Sequence, residues 1–197
     1  MTNQPKYNAK LAAEDTWQAM LAAGVFVEGN FTFASGQKAT LKADAEKLYQ
    51  HPKELAVVLG HFATHPSVQA ADVLLYVPDG MKQFMTSLGR EIAKPVVNAM
   101  RTPNATSKYD FMFSTPQDSE LAQSAQRPLI GEDVVTTLGS IAAMRQLLRP
   151  EQHVESLAIL LRGTVNPDYQ TGLVEHYLVQ RQIPTDAAEF NRILAEE

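Results

Sequence analysis

The spacing of apolar positions changes several times along the chain, and each change predicts an element. Over residues 9–23 (AKLAAEDTWQAMLAA), Leu11, Ala12, Trp17, Met20 and Leu21 recur at helical spacing. That predicts an amphipathic helix closed by Gly24. The next stretch, VFVEGNFTFASGQKATLKAD, is rich in Val, Phe and Thr and has turn residues at Gly29-Asn30 and Ser35-Gly36. It reads as a hairpin or a set of short strands. Residues 52–64 read as a helix with Pro52 in its first turn. A short apolar run at Val73–Val77 predicts a strand, residues 81–93 a helix, and residues 95–100 a second strand. Residues 102–120, with Pro103, Asn104 and Pro116, read mainly as a loop around a short strand at 111–113. Leu129-Ile130 opens a strand running into GEDVV, Ser140 to Leu148 is a helix stopped by Pro150, and Ser156–Leu161 is a strand. Helices alternating with strands that are apolar on both faces predict an α/β fold. Its parallel sheet would be covered on both sides and joined by right-handed crossovers. Ligands in such folds sit beyond the carboxyl ends of the strands, which points to the loops at 78–82, 101–116 and 134–140.

Composition narrows the class. The chain has 197 residues, enough for a single domain, and 45% of them are apolar, enough for a sizeable core. The net charge of −5 gives no electrostatic footprint for general nucleic-acid binding. With no cysteine, disulfides, thiolate metal sites and a cysteine nucleophile are excluded. No stretch approaches the roughly 18 apolar residues needed to cross a bilayer. The polar start, Met1-Thr-Asn-Gln-Pro-Lys, leads into no apolar run, so no signal peptide is expected. These features predict a cytoplasmic protein with no nucleic-acid or membrane partner, acting on a small molecule.

The candidate chemistry lies in Arg127-Pro-Leu-Ile-Gly-Glu-Asp-Val-Val-Thr-Thr-Leu-Gly-Ser140. It reads as a strand ending in two adjacent carboxylates, a Thr/Gly/Ser turn and a helix start. Hydroxyls of Thr136, Thr137 and Ser140 join the unpaired N–H groups and positive dipole end of that helix to make an anion cradle. Glu132 and Asp133 can accept hydrogen bonds from vicinal hydroxyls. Together they describe a site for a 5-phosphoribosyl group. The competing reading is an N-cap cluster with two solvated acids.

GEDVVTTLGS resembles the phosphoribosyl-pyrophosphate motif of the type I phosphoribosyltransferases. It is most similar to the form V-E-D-V-V-T-T-G-G-S common in orotate phosphoribosyltransferases, with Leu138 in place of a glycine. Three further segments follow in the family's order. Phe31-Thr-Phe-Ala-Ser-Gly-Gln-Lys38, with Asp44 beyond, is similar to its N-terminal segment. Leu75-Tyr-Val-Pro-Asp-Gly-Met-Lys82 is similar to its pyrophosphate loop, and Arg101 follows the 95–100 strand as an arginine does in the family. The resemblance covers roughly residues 17–180. It implies a single-domain type I phosphoribosyltransferase fold, with a central, mostly parallel sheet flanked by helices over about 52–165. A small hood would come from about 20–45 and the C-terminal tail.

The implied reaction displaces pyrophosphate from C1 of phosphoribosyl pyrophosphate by a nitrogen of a pyrimidine-type base. Glu132 and Asp133 would bind the ribose hydroxyls. Thr136, Thr137, Leu138, Gly139 and Ser140 would hold the 5-phosphate, and Lys82, Arg101 and Lys108 would neutralise pyrophosphate. Mg²⁺ is the expected cofactor, held mainly through substrate and water and without a dedicated set of protein ligands. Family members are usually homodimers, and the same is expected here.

Three departures from the family favour a different base or a second function. The segment Arg101-Thr-Pro-Asn-Ala-Thr-Ser-Lys-Tyr-Asp110 has no histidine and only Lys108 for added charge, where the family has a K-E-x-K-x-H-G-like lid. Ala34 stands where a lysine often precedes Ser-Gly, and the usual aromatic pair is replaced around Leu41-Lys42. Hence the alternative: a non-catalytic protein that binds phosphoribosyl ligands on the same fold. A third reading is an unrelated phosphosugar- or nucleotide-binding α/β protein.

Other residues carry weaker signals. Lys38, Lys42 and Lys47 form a basic cluster that would suit a carboxylate substrate or a solvated face. His61 and His65 stand four apart on a helix, but no further acidic or histidine ligand follows and Pro66 ends the pattern, which argues against a metal. His51, His153 and His176 are isolated and read as surface or packing residues. Trp17 reads as core or dimer surface, and Arg162-Gly-Thr-Val-Asn-Pro follows the last predicted strand where the family places residues near the base.

Overall fold

A computed structural model describes residues 7–32, 36–78, 80–103, 107, 109–163 and 173–196. The chain begins with α1 (Ala9–Ala22), a hairpin of β1 (Phe26–Thr32) and β2 (Lys38–Ala43), and a 3₁₀ turn (Ala45–Gln50). Next come α2 (Pro52–Thr64), α3 (Pro66–Ala70), β3 (Val73–Tyr76), α4 (Lys82–Glu91), β4 (Ala99–Arg101) and β5 (Phe111–Phe113). The remainder is α5 (Pro116–Ser124), β6 (Pro128–Val135), α6 (Gly139–Gln146), β7 (Glu155–Arg162), β8 (Val174–Arg181) and α7 (Ala187–Glu196).

Among the described residues the main sheet is parallel, in the order β3-β6-β7-β8. Leu75 is paired with Ile130, Gly131 with Leu157, and Ala158 with Tyr177. Successive side chains point to opposite faces, and both faces are covered. Leu74, Tyr76, Leu129, Leu157 and Ile159 pack in one cluster with α1, α2 and α4 residues such as Met20, Phe62 and Phe84. Val73, Leu75, Ile130, Ala158 and Leu161 pack in the other with Ala122 of α5 and Ile141 and Met144 of α6. Burying each such large apolar side chain contributes roughly 1.5–3 kcal/mol, which is why these runs form the centre of the sheet.

The hood is the β1–β2 hairpin clasped by the C-terminal segment. Thr40 N and Leu41 N both donate to Thr185 O, at 2.8 and 3.0 Å, and Ala187 N donates to Thr40 Oγ1 at 2.8 Å. Trp17, Phe26 and Phe190 form an aromatic cluster beneath it, with centroids 5.1 Å (Trp17–Phe26) and 4.9 Å (Phe26–Phe190) apart.

Several elements differ from the sequence expectation. Gly29-Asn30 is no turn: it lies inside β1, where the register with β2 shifts between Glu28 and Phe31 as a bulge. Of the expected strand at 95–100, only Val96 joins the sheet, bridging Leu74. The chain then leaves the sheet, and β4 pairs antiparallel with β5 as a separate arm. The polar stretch expected as loop holds α5: Thr115 caps it by accepting from Asp118 N, and Pro116 occupies its first turn. Pro66 opens α3 as well as ending α2. Because β8 pairs with β7 along its length, the sheet runs to Arg181, beyond the core boundary near 165 expected from sequence. Among the described residues no helix is long and apolar enough to cross a membrane.

Candidate active site

The carboxyl end of β6 carries the two adjacent carboxylates. Glu132 is 8% exposed, and its Oε2 has no hydrogen-bond partner among the described residues. Burial first, and then the charge of Asp133, push its carboxyl well above the usual carboxylate range. Asp133 accepts from the Val134 N–H at 2.7 Å. Its carboxyl is also raised: burial outweighs the backbone hydrogen bonds that lower it, and Glu46 and Asp44 add repulsion. A buried carboxylate lacking a partner costs free energy until a cation or a donor reaches it.

The loop after β3 is pressed against this pair. A Cβ at Gly80 would fall 2.7 Å from Asp133 Oδ2, so only glycine allows the loop to approach. Tyr49 of the 3₁₀ turn fixes the same loop from the hood side by donating to Gly80 O at 2.6 Å. Burial and the nearby Asp133 and Glu46 charges keep Tyr49 protonated, with its pKa raised to about 12, against a smaller opposing effect of a backbone hydrogen bond. Lys82 opens α4 and is exposed. With Glu46, Tyr49, Gly80, Gln83, Thr86, Ser87 and Arg90 it lines a cavity of about 560 Å³.

Beyond Asp133, β6 continues through Val134 and Val135, and the chain then turns into α6. Thr136 and Thr137 are exposed and Ser140 is half-buried. Leu138 has φ −74° and a buried side chain packed with the α6 face of the core, so its backbone is right-handed and unstrained. The N-cap of α6 makes no side-chain hydrogen bond. Gly139 is buried because the ring of Tyr109 covers it: a Cβ there would fall 2.6 Å from Tyr109 Cζ. Arg101 ends β4, exposed, with its guanidinium carbon 5.6 Å from the centroid of Phe111. Lys108 lies outside the described residues. Lys38 lines a separate cavity of about 630 Å³ in the hood, with Asn30, Phe31, Thr32, Ala39, Thr40, Thr185 and Asp186. None of the carboxylate pair or the β6–α6 loop lines it.

Comparison with family models and with curated protein sequences finds no match. Solved structures do match. Orotate phosphoribosyltransferase from Aeropyrum pernix superposes with a TM-score of 0.69 at 16% identity, covering 91% of this chain and 98% of that one. The chain has the type I phosphoribosyltransferase fold. Adenine phosphoribosyltransferase from Rhodothermus marinus gives a TM-score of 0.63 at 14% identity, covering 87% of this chain and 99% of its own. Leishmania donovani UMP synthase gives 0.63 at 16% identity, over 94% of this chain and 42% of that one.

On this fold the structure brings Gly80 against Asp133, and Lys82 lines the neighbouring cavity with Gly80. It places Lys38 in a different cavity and Lys42 in an ion pair with Asp44 at 3.2 Å. Tyr49 and Tyr109 went unread, because each reaches the site from about thirty residues away with no local motif. The histidine pair at 61 and 65 is split: His61 Nε2 meets Asp15 at 3.0 Å, and His65 caps α3 by accepting from Ser67 N. Among the described residues no cluster of three or more potential ligands is arranged for a metal.

Proposed function

We propose that this chain is a phosphoribosyltransferase that moves 5-phosphoribose from phosphoribosyl pyrophosphate to a pyrimidine-type base. The observation that carries the reading is the buried, unpartnered Glu132 Oε2 beside Asp133, at the strand end that leads into the Thr136–Ser140 turn. In the reaction a deprotonated base nitrogen forms a bond to C1 while the C1–O bond breaks, its electron pair leaving with pyrophosphate. Glu132 and Asp133 accept from the ribose hydroxyls, and their charge stabilises the cationic sugar as it forms. The Thr136, Thr137 and Ser140 hydroxyls and the first turn of α6 hold the 5-phosphate. Lys82 and Arg101, with Lys108, offset the charge of the leaving pyrophosphate.

The residues fit Mg²⁺ that arrives with the substrate: two adjacent carboxylates, one with an unsatisfied oxygen. Bound there, Mg²⁺ supplies charge neutralisation on the pyrophosphate oxygens. A homodimer and a cytoplasmic setting belong to the same proposal.

A second reading rests on one observation. The segment after Arg101 has no histidine and a single lysine, which favours a protein that binds phosphoribosyl ligands without turning them over. A pyrophosphate-release assay with orotate, other pyrimidines and adenine tests both. Release with a pyrimidine supports the transferase, and release with adenine alone replaces the base. Binding of phosphoribosyl pyrophosphate with no release on any base supports the second reading.

A further inference from the structure

Tyr109 is held where a ligand at the α6 terminus would meet it. Its backbone sits in a turn fastened at four points. Ser107 N donates to Asp110 Oδ2 (3.1 Å), Tyr109 N to Ser107 Oγ (3.1 Å), Asp110 N to Ser107 O (3.2 Å), and Thr102 N to Asp110 O (2.8 Å). That turn lies directly before β5, whose Phe111 is paired with Arg101. Tyr109 and Arg101 are therefore carried on one arm.

The phenol ends at the first residue of α6. A Cβ at Gly139 would fall 2.6 Å from Tyr109 Cζ and 2.7 Å from its Oη. A helical Cβ tilts toward the helix N-terminus. The hydroxyl thus lies against the first residue of α6, in the turn whose N–H groups have no intrahelical partner. A glycine at 139 makes room for this ring, and the right-handed Leu138 keeps its side chain in the core, away from it.

We propose that Tyr109 is a phosphate-contacting residue, whose hydroxyl donates to the terminal phosphate held at the β6–α6 turn while its ring docks the Arg101-bearing arm on that turn. The proposal rests on the phosphoribosyl reading and deepens it: one residue reports occupancy of the phosphate site to the arm that meets pyrophosphate. It selects sugar phosphates over neutral sugars, because a phenol O–H gains most from a charged acceptor.

Calorimetric titration with ribose 5-phosphate, and separately with inorganic pyrophosphate, tests it in the parent chain, Tyr109→Phe and Tyr109→Ala. Phenylalanine keeps the ring and removes only the donor. The expected result is an affinity for ribose 5-phosphate about tenfold or more weaker in Tyr109→Phe, with unchanged melting temperature and unchanged pyrophosphate affinity. If Tyr109→Phe binds ribose 5-phosphate as the parent does, the hydroxyl makes no contact and the proposal falls while the phosphoribosyl reading stands. Tighter binding by either variant makes the phenol an obstruction and also overturns it. A parent chain that binds neither probe removes the phosphoribosyl reading, and this proposal with it.

Discussion

The two ends of one sheet treat carboxylates in opposite ways. At the amino end, Glu155 opens β7 and is paired on every side. Its Oε2 accepts from Ser67 Oγ at 2.5 Å and meets His176 Nε2 at 2.9 Å; its Oε1 meets His153 Nε2 at 3.0 Å and Arg127 at 3.6 Å. Burial alone would raise its pKa, but the hydrogen bonds from Ser67, His153 and His176 hold it down to about 2. At the carboxyl end, Glu132 is buried with Oε2 unpartnered, and Asp133 is partnered by the adjacent backbone. A paired charge holds the fold together, whereas an unpaired one is held ready for something the protein has yet to bind. Substitutions at the two ends should therefore change stability in opposite directions.

The largest effect is expected at the paired end. Glu155→Ala leaves Ser67, His153, His176 and Arg127 without their acceptor, and unfolding free energy should fall by roughly 1.5–3 kcal/mol, the range for hydrogen bonds to a charged group with partly exposed partners. Urea denaturation reads this. A loss under about 1 kcal/mol would mean the network is a surface feature of the kind that contributes little.

Acid should act on the same end. His65 is 6% exposed, its ring 5.0 Å from that of His176 and 4.7 Å from that of Tyr7, and its Nδ1 accepts from Ser67 N. Burial, then the neighbouring His176, lower its pKa from 6.5 to about 4, partly offset by Glu155. Between those values the unfolded chain binds the proton and the folded chain does not, so stability is full above about pH 6.5 and declines toward pH 4. Glu155 contributes in the same direction below pH 4.5. Denaturation curves from pH 7 to 4 should show a loss of a few kcal/mol. His65→Asn, whose amide oxygen can take the same Ser67 N–H, should flatten the upper part of that decline, and an unchanged slope would remove His65 as its source.

At the unpaired end the sign reverses. Glu132→Met replaces the buried, unpartnered carboxyl with an apolar side chain of similar shape, so the ligand-free protein should gain about 1–2 kcal/mol at neutral pH. Thermal unfolding would show it as a higher melting temperature. The same variant should lose affinity for phosphoribosyl pyrophosphate, and a variant that is both less stable and still binds would erase the contrast between the two ends.

The sequence made one end legible and hid the other. Glu132, Asp133 and the Thr136–Ser140 turn lie in one short run, where strand, acids and helix start are contiguous. The paired end is assembled from His65, Ser67, Arg127, His153, Glu155 and His176, spread over more than a hundred residues, so His153 and His176 read as isolated and His65 only as a neighbour of His61. Among the elements, α1, α2, β3 and β6 carried strong periodicity and came out within a residue or two. α5 was missed although Thr115, Pro116 and Asp118 form a helix-start signature, because its polar composition outweighed its cap. β8 has four intermediate or exposed positions before its buried Leu178 and Val179 and two after them, and its place at the sheet edge depends on pairing with β7. Tyr49 and Tyr109 reach the site only through tertiary contacts that no spacing rule describes.

The central claim is that the carboxyl end of the sheet is a phosphoribosyl site. Isothermal titration with phosphoribosyl pyrophosphate and Mg²⁺, in the parent chain and in Asp133→Asn, tests it most directly. The account predicts saturable binding in the parent, weakened in Asp133→Asn by roughly 1.5–3 kcal/mol for the lost charged acceptor. An absence of binding in the parent, or equal affinity in the two proteins, would contradict it.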